Sequence, residues 1–335
     1  MVDASPFSSI AVIGGGAWGT ALANLCAGNG AATTIWAREG EVVEAINKQN
    51  ENTAFLPGVS LNKGVTATDN LSETGGHDAF LLAAPVQHSR AVISELARFA
   101  GETAPMAICS KGVETRTGLL MTEMVAEVAP RARLAVLSGP SFADDVARGL
   151  PTAVTLACAD RDLGAKWVAS VGAAHFRPYL SDDLTGAALG GAVKNVLAIA
   201  AGVVVGRKLG DSARAALIAR GFAEFQRLGV ALGAGAATMA GLSGLGDLIL
   251  TASSPTSRNM SLGMALGEGK TLKAILAERR SVAEGVQTAP AVMALAKKAG
   301  VEMPVCGAVT GLVSGDKSVD EVIADLLSRP FTYEG

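Results

Sequence analysis

The 335-residue sequence is poor in aromatic residues, cysteine and histidine, and it has no excess of positive charge. Aromatic residues make up 4% of the chain, so its core must consist mainly of Ala, Val, Leu and Ile. A net charge of −3 and the lack of Lys/Arg runs exclude a nucleic-acid-binding stripe and a basic membrane surface. The three histidines, His77, His88 and His175, have no metal-ligand spacing, and we expect no metal site.

The four cysteines lie far apart in the sequence and form no C-x-x-C pair. Cys26, Cys109 and Cys158 have apolar neighbours, which favours small buried hydrophobic residues in a reducing compartment. Residues 1–9 lack the cationic and apolar segments of a signal peptide. The apolar run 196–206 is shorter than the ~20 residues that a membrane span needs. We therefore expect a cytoplasmic protein without membrane insertion.

Residues 10–23, I-A-V-I-G-G-G-A-W-G-T-A-L-A, combine a short apolar run with a glycine motif. The run 10–13 is typical of a buried parallel strand, and Gly14, Gly16 and Gly19 follow it with G-x-G-x-x-G spacing. Gly14 suits a tight turn, Gly16 lets the backbone approach a pyrophosphate, and Gly19 lets a helix pack closely on the strand. Because the new helix offers N–H groups to that anion, this context favours a dinucleotide site over an ordinary glycine-rich turn.

Strand-like and helix-like segments alternate over the first part of the chain. Strands are predicted at 10–13, 32–36, 78–83, 105–110, 134–138, 152–157 and 175–179, and helices from 20 to about 28–30 and at 88–99, 118–128 and 160–171. This alternation predicts a Rossmann-type, doubly wound α/β sheet. The segments 83–88, 110–112 and 138–143 follow strands, so we expect them to face one ligand-binding crevice.

Beyond Ser181 only helices are predicted, at 185–205, 211–232, 258–266, 271–277, 290–299 and 318–328. The fold class is therefore α/β plus all-α, with a dinucleotide-binding domain at 1–181 and a helical substrate-binding domain at 182–335. Small residues on the helix faces of the second domain are compatible with a homodimer and with tight internal packing.

Arg38 follows the second predicted strand, where NAD-preferring proteins place an acidic residue that binds the ribose. Its guanidinium suits a 2′-phosphate instead, which favours NADP(H) as the cofactor. The neighbouring Glu39 keeps NAD(H) as the alternative.

Two charged residues lie in unusually apolar segments. Lys194 lies in A-L-G-G-A-V-K-N-V-L, where a helix would surround it with Gly190, Gly191 and Ala198 and let another backbone or a ligand approach. Its alternative is a surface lysine whose stem lies along the helix. Asp247 is the only ionisable residue in 229–257, so its burial requires a cation, for which Lys194 is the candidate. Its alternative is a helix N-cap.

The tripeptide Ser257-Arg258-Asn259 follows Pro255 and opens a predicted helix. A hydroxyl, a guanidinium and an amide at a helix N-terminus are suited to binding phosphate, although a capped helix start has the same pattern. Together with the glycine motif and Lys194, these residues indicate a reductase for a small phosphorylated carbonyl compound.

Six strings occur in a characteristic order: G-A-W-G-T-A-L-A (16–23), S-K-G (110–112), S-G-P-S-F-A (138–143), V-K-N (193–195), G-L-G-D-L (244–248) and S-R-N (257–259). D-S-A-R-A-A-L (211–217) and V-A-E-G-V (282–286) accompany them. In this combination the chain closely resembles the bacterial NAD(P)-dependent glycerol-3-phosphate dehydrogenases over essentially its whole length. The resemblance implies interconversion of dihydroxyacetone phosphate and sn-glycerol 3-phosphate, which supplies glycerophospholipid synthesis.

The resemblance also implies roles for single residues. Lys194 would be the general acid/base, with Lys111 and Asp247 beside it in the catalytic centre, and two neighbouring lysines would lower each other's pKa. Substrate contacts would come from Lys111, Gly139, Ser141, Lys194, Asn195, Asp247, Ser257, Arg258 and Asn259. Cofactor contacts would come from Gly14, Gly16, Ala17, Trp18, Gly19, Arg38, Lys111, Ala143, Arg258, Val282 and Glu284. Ala17 stands where the family often has Ser and keeps only the backbone N–H, and Ser212 stands where it often has Asn.

Two other functions are compatible with part of this pattern. A catalytically silent dinucleotide sensor would need the glycine motif but not Lys194, Asp247 and Arg258 together. Dehydrogenases of the 3-hydroxy acid or 6-phosphogluconate type also join a Rossmann domain to a helical domain and use a lysine on its first long helix. The strings S-R-N and S-G-P-S-F-A argue against the latter.

Overall fold

The computed structural model describes residues 4–278 and 283–330, and its N-terminal domain is built on one eight-stranded sheet. The strands are β1 (Ser9–Ile13), β2 (Ala32–Trp36), β3 (Val65–Thr68), β4 (Ala79–Leu82), β5 (Pro105–Ile108), β6 (Arg133–Ser138), β7 (Thr152–Ala157) and β8 (Phe176–Ser181). Their order in the sheet is β3-β2-β1-β4-β5-β6-β7-β8. Neighbours pair in parallel except β6 and β7, which are antiparallel.

Helices cover both faces of this sheet. They are α1 (Ala17–Gly28), α2 (Gly40–Gln49), α3 (Val86–Leu96), α4 (Met121–Val128), α5 (Ala143–Ala147) and α6 (Arg161–Val171), with a 3₁₀ turn at Leu71–Thr74. Ile10 and Val12 point into one core cluster and Ala11 and Ile13 into another, because successive side chains of a strand face opposite sides. The predicted doubly wound sheet is thereby confirmed.

The rest of the described chain is helical. Its helices are α7 (Leu184–Gly206), α8 (Asp211–Ala231), α9 (Ala236–Ala240), α10 (Asp247–Ser253), α11 (Arg258–Gly267), α12 (Leu272–Ala277), α13 (Glu284–Lys298), α14 (Pro304–Ser314) and α15 (Val319–Leu327), and a π-helical turn (Leu242–Gly246) precedes α10. The predicted helical second domain is confirmed.

The long helix α7 is the central element of the second domain. It crosses α11 so closely that a Cβ on Gly202 would approach the Met260 carbonyl oxygen to 2.1 Å, and a Cβ on Gly263 would approach that of Ile199 to 2.0 Å. By length and composition α7 could cross a membrane, but 83% of its most apolar window is buried in the protein. It is therefore packed as a core helix, and it brings Lys194 and Asn195 into the interior.

Some element bounds differ from the sequence predictions. The helix predicted at 290–299 begins at Glu284, and Pro290 is an exposed residue within α13. Buried neighbours on the opposite face, such as Thr288 and Val292, hold this helix together despite the proline. The helix predicted at 118–128 begins at Met121, because Gly118 has a positive φ of 72°. All four cysteines are free and buried, which for Cys26, Cys109 and Cys158 agrees with their apolar sequence contexts.

Candidate active site

The glycine loop between β1 and α1 has the geometry that its spacing predicts. Gly14 has a φ of 131°, and a Cβ there would lie 2.6 Å from the Ala84 nitrogen. A Cβ on Gly19 would lie 1.9 Å from the Gly14 carbonyl oxygen, so helix and turn touch. Gly16 is exposed, and among the described residues a Cβ on it would meet no atom within 4 Å.

That open space lies before the first turn of α1, which begins after Gly16 without a side-chain cap from the described residues. The N–H groups of the first turn of a helix need an outside acceptor, and an anion satisfies them. The loop therefore fits the pyrophosphate of a dinucleotide.

Other predicted cofactor positions cluster near this loop. Ala17 and Trp18 lie half-buried in the first turn of α1, and Ala143 begins α5; all three pack against the same core cluster. The Trp18 Nε1 and Ser110 Oγ atoms are buried and have no hydrogen-bond partner within the described part of the chain. Val282 lies outside the described residues.

Arg38 follows β2, as predicted, and its side chain is 72% exposed. Its Nε and Nη2 atoms donate to Oε1 of Glu39, over 3.2 and 2.9 Å. A cation suited to a 2′-phosphate and a carboxylate suited to a ribose hydroxyl thus occur side by side. The geometry accommodates NADP(H) and NAD(H).

A buried cluster of Lys111, Lys194 and Asp247 joins the two domains. Oδ1 of Asp247 accepts a hydrogen bond from Lys194 Nζ at 2.5 Å, and Oδ2 accepts one from Lys111 Nζ at 2.7 Å. Asp247 is completely buried and Lys194 is 9% exposed. The surface-lysine alternative for Lys194 is therefore wrong. The N-cap alternative for Asp247 is also wrong, because Asp247 is the first residue of α10 and its carboxylate binds the two lysines.

Small residues on α7 make this cluster possible, as predicted. A Cβ on Gly190 would lie 2.2 Å from the carbonyl oxygen of Ser243 in the π-helical turn, and one on Gly191 would lie 2.9 Å from Cγ of Lys111. The turn that leads to Asp247 and the side chain of Lys111 can therefore both lie directly on α7, next to Lys194.

The cluster has one carboxylate for two ammonium groups, so it carries an excess positive charge. Burial lowers the pKa of Lys194 to about 8, and the ammonium of Lys111 contributes to this shift, while Asp247 and Glu284 oppose it. An amine with such a pKa can donate or accept a proton near neutral pH. The excess charge suits an anion or a developing alkoxide.

Thr251 belongs to this cluster, although sequence reasoning missed it. Its Oγ1 accepts a hydrogen bond from Lys194 Nζ at 3.0 Å, and it is 3% exposed. The signal was its position four residues after Asp247, which puts both side chains on one face of α10.

Gly139 and Ser141 lie beside Lys111 at the end of β6. Lys111 Nζ and Ser141 Oγ both donate to the carbonyl oxygen of Gly139, over 2.9 and 3.0 Å. Gly139 has a φ of 153°, and a Cβ there would approach Cα of Val154 to 2.9 Å. This glycine is required both by its backbone conformation and by the contact with β7.

The S-R-N tripeptide begins α11, where Ser257 caps the helix by accepting the Met260 N–H at 3.3 Å. The capped helix start is thus present, and Arg258 is exposed at its first position. Asn259 Nδ2 donates to Asn195 Oδ1 at 2.9 Å, and Asn195 Nδ2 donates to Glu284 Oε2 at 3.3 Å. This chain of hydrogen bonds links α11, α7 and α13 next to Lys194.

Comparison with known proteins agrees with this geometry. A model of the NAD-dependent glycerol-3-phosphate dehydrogenase N-terminus matches residues 9–164, and a model of the C-terminus of the same enzymes matches residues 183–324. The chain belongs to this family. It is an oxidoreductase family, and the resemblance seen in the sequence motifs is confirmed.

Individual members of the glycerol-3-phosphate dehydrogenase family are similar along almost the whole chain. Glycerol-3-phosphate dehydrogenase [NAD(P)+] of Parvibaculum lavamentivorans is 58% identical over 98% of each chain, and that of Rhodospirillum rubrum is 58% identical over 97% of this chain and 94% of its own. The crystal structure of glycerol-3-phosphate dehydrogenase from Coxiella burnetii superimposes with a TM-score of 0.93 at 35% identity. It covers 96% of this chain and 99% of its own.

Proposed function

We propose that this protein catalyses the NAD(P)H-dependent reduction of dihydroxyacetone phosphate to sn-glycerol 3-phosphate, and the reverse oxidation, for glycerophospholipid synthesis. The observation that carries the proposal is the buried Lys111–Asp247–Lys194 cluster, which lies on the same sheet edge as the glycine loop. The names of the relatives, glycerol-3-phosphate dehydrogenase [NAD(P)+], support the same reaction.

In the proposed mechanism, Lys194 is the general acid for reduction. A nicotinamide cofactor held at the glycine loop would supply the hydride that reduces C2 of the ketone. The Lys194 ammonium transfers its proton to the C2 oxygen, so that the ketone becomes an alcohol and Lys194 becomes a neutral amine. Lys111 stabilises negative charge on the same oxygen, and Asp247 holds both lysines in place. In the oxidation direction, neutral Lys194 accepts the hydroxyl proton.

The phosphate of the substrate is proposed to bind at the start of α11. Arg258 would offer a two-pronged guanidinium, and the first-turn N–H groups of α11 that Ser257 does not cap would donate to the same anion. Asn195 and Asn259 fix the floor of this site through their mutual hydrogen bond. Gly139 and Ser141 would bound the substrate on the side of the sheet.

The cofactor is proposed to lie along the glycine loop, with NADP(H) preferred through Arg38. Its contacts would be Gly14, Gly16, Ala17, Trp18, Gly19, Arg38, Lys111, Ala143, Arg258, Val282 and Glu284.

We also propose the domain limits 1–181 and 182–335, since β8 ends at Ser181 and the two family models match on either side of it. The buried, free cysteines support a cytoplasmic location. Exposed Ala215, Ala216 and Ala219 on α8 support a homodimer, which light scattering would test.

The deciding experiment follows NADPH absorbance with purified protein and dihydroxyacetone phosphate, with unphosphorylated dihydroxyacetone as the matched control substrate. We expect turnover of the phosphate ester and little turnover of the control. NADPH binding without turnover would favour the silent sensor. Faster turnover of a 3-hydroxy acid or of 6-phosphogluconate with NADP+ would favour the other dehydrogenase class.

A further inference from the structure

Arg90 and Glu114 form a partly buried ion pair, and Glu114 follows Lys111 by three residues in the sequence. The proposed mechanism does not use this ion pair. Arg90 of α3 donates from Nε to Oε1 of Glu114 and from Nη2 to Oε2, both over 2.8 Å. The side chains are 20% and 6% exposed, and Arg90 Nη2 also lies 2.8 Å from Glu127 Oε2 of α4. Two parallel bonds of this kind fix the relative orientation of the two groups.

Glu114 lies in the Lys111 segment, which we define as residues 110–120, between β5 and α4. Within the segment, Glu114 N donates to Leu119 O at 3.0 Å, and the Gly118 N donates to Glu114 O at 2.8 Å. The segment is therefore folded around Glu114, so the bonds that Glu114 makes help to fix the position of the turn.

A second residue of α3 binds the same segment. Gln87 Nε2 donates to the Val113 carbonyl oxygen at 2.9 Å, and its Oε1 accepts the Thr115 N–H at 2.9 Å. Residues on both sides of Glu114 are thus tied to α3, and Arg90 supplies the charged link.

The other side of the Lys111 segment faces the helical domain. Val113 is completely buried in the core cluster of that domain. Lys298 of α13 donates to the Thr117 carbonyl oxygen at 3.2 Å. The segment is therefore held by α3 on one side and by the helical domain on the other, and Lys111 is its second residue.

We propose that Arg90 and Glu114 are positioning residues, which hold the Lys111 segment so that the Lys111 ammonium stays beside Asp247 and Lys194. This inference rests on the proposed function through the role of Lys194 as proton donor. Neither Arg90 nor Glu114 belongs to the proposed substrate or cofactor contacts.

Displacement of Lys111 should change the pKa of Lys194, which a loss of stability alone would not do. Within the described part of the chain, the charged groups that act on Lys194 are Lys111, Asp247 of α10 and Glu284 of α13, and of these three only Lys111 lowers its pKa. If Lys111 moves away, only burial still opposes Asp247 and Glu284, and the pKa of Lys194 rises above about 8. The basic limb of kcat for reduction then shifts to higher pH, because Lys194 keeps its proton longer.

The test is Arg90→Lys in the full-length protein, assayed with NADPH and dihydroxyacetone phosphate. Lysine keeps the charge, but its single ammonium cannot reproduce the two parallel bonds that Nε and Nη2 of Arg90 make to Glu114. We expect kcat to fall about tenfold, because even a small misplacement of a catalytic group lowers the rate. We also expect the basic limb to move upward and NADPH binding to stay unchanged. Arg131→Lys is the matched control, since Arg131 and Glu102 form an ion pair with side chains 71% and 75% exposed. It should behave as wild type.

Glu114→Gln provides a second variant that keeps the shape of the side chain. It should reproduce the shift of the basic limb, and the double variant should be no worse than the stronger single one. Unchanged kcat and an unchanged basic limb in either folded variant would overturn the proposal. A lower melting temperature with the wild-type pH profile would also overturn it, since that is a structural role only.

A readout without turnover separates this proposal from the proposed function. The pH dependence of Lys194 modification by an amine-selective reagent, followed by mass spectrometry, reports the protonation of Lys194 directly. If the wild-type protein reduces no dihydroxyacetone phosphate, the proposed function fails. A raised Lys194 midpoint in Arg90→Lys would still support the positioning role, and an unchanged midpoint would contradict it.

Discussion

Gly191 of α7 lies against the side chain of Lys111, so that a Cβ on Gly191 would approach Cγ of Lys111 to 2.9 Å and Cβ of Lys111 to 3.1 Å. Gly191→Ala should therefore push the Lys111 stem away from α7 and its ammonium away from Asp247. We expect kcat to fall about tenfold while the fold is retained, since one methyl group displaces a side chain rather than backbone. Steady-state kinetics together with a melting curve would measure this.

Gly28→Ala is the matched control for that substitution. Gly28 is the last residue of α1, and a Cβ there would meet no atom within 4 Å among the described residues. Wild-type kcat is expected for Gly28→Ala. If Gly191→Ala behaved in the same way, Lys111 would not depend on this contact.

Lys194→Ala should lower kcat by about 10²–10⁴-fold, the usual contribution of a positioned general acid. NADPH affinity should survive, because the glycine loop lies on another domain. Lys194→Met serves as a second variant that fills the same buried space without a charge. Asp247 keeps its bond to Lys111 in both variants, so both should fold. Near-normal turnover in either variant would remove Lys194 from the catalytic role.

The pH dependence of kcat should change direction with the direction of the reaction. Reduction needs the protonated ammonium of Lys194, so its kcat should fall as pH rises through about 8. Oxidation needs the neutral amine, so its kcat should rise over the same interval. Rates measured in both directions with saturating substrates would test this, and a parallel response in the two directions would contradict it.

Arg258→Ala should chiefly weaken substrate binding. Hydrogen bonds to charged groups contribute about 1.5–3 kcal/mol, which corresponds to roughly a 10- to 150-fold rise in the KM for dihydroxyacetone phosphate. Arg220→Ala offers a control, since Arg220 is an exposed arginine on α8. An unchanged KM in Arg258→Ala would refute the phosphate assignment.

Arg38→Ala should weaken NADPH binding about tenfold or more and leave NADH binding nearly unchanged, because only NADPH carries the 2′-phosphate. Glu39→Gln should strengthen NADPH binding, since it releases the Arg38 guanidinium that Glu39 binds at 2.9 Å. Titration of each cofactor by fluorescence would give both affinities. A clear preference of the wild-type protein for NADH would defeat the NADP(H) assignment.

The sequence predicted the Lys194–Asp247 pair because both residues carry charge in long apolar segments, where burial requires a partner. It could not predict the third member, Lys111, from spacing, since Lys111 and Asp247 are 136 residues apart and meet only through the contact between domains. The local pattern placed residues 110–112 at the ligand-binding crevice, and the family resemblance alone pointed to Lys111 as part of the catalytic centre. The link between Arg38 and Glu39 was visible in the sequence only as two adjacent charges.

Elements with strong local periodicity were predicted, and elements stabilised from a distance were missed. β2 and β7 have the predicted bounds. α14 was missed, and its first turn is capped by Glu224 of α8, whose carboxylate accepts the Val305 and Cys306 N–H groups at 2.7 and 3.2 Å. No local pattern reveals a cap that lies 81 residues away. β3 and α2 were also missed; β3, V-T-A-T, is a short strand at the edge of the sheet.

The burial of Val113 inside the helical core has a practical consequence for anyone who divides this chain. A fragment that stopped at Ser181 would carry Val113 and Leu120 without the helices that cover them, and the complementary fragment would present a hole where these two side chains belong. Neither fragment would keep the complete core that its part has in the full-length protein. Truncation, fusion and domain exchange should therefore keep residues 110–120 together with the helices that cover them, even though the all-helical part of the chain begins only after Ser181.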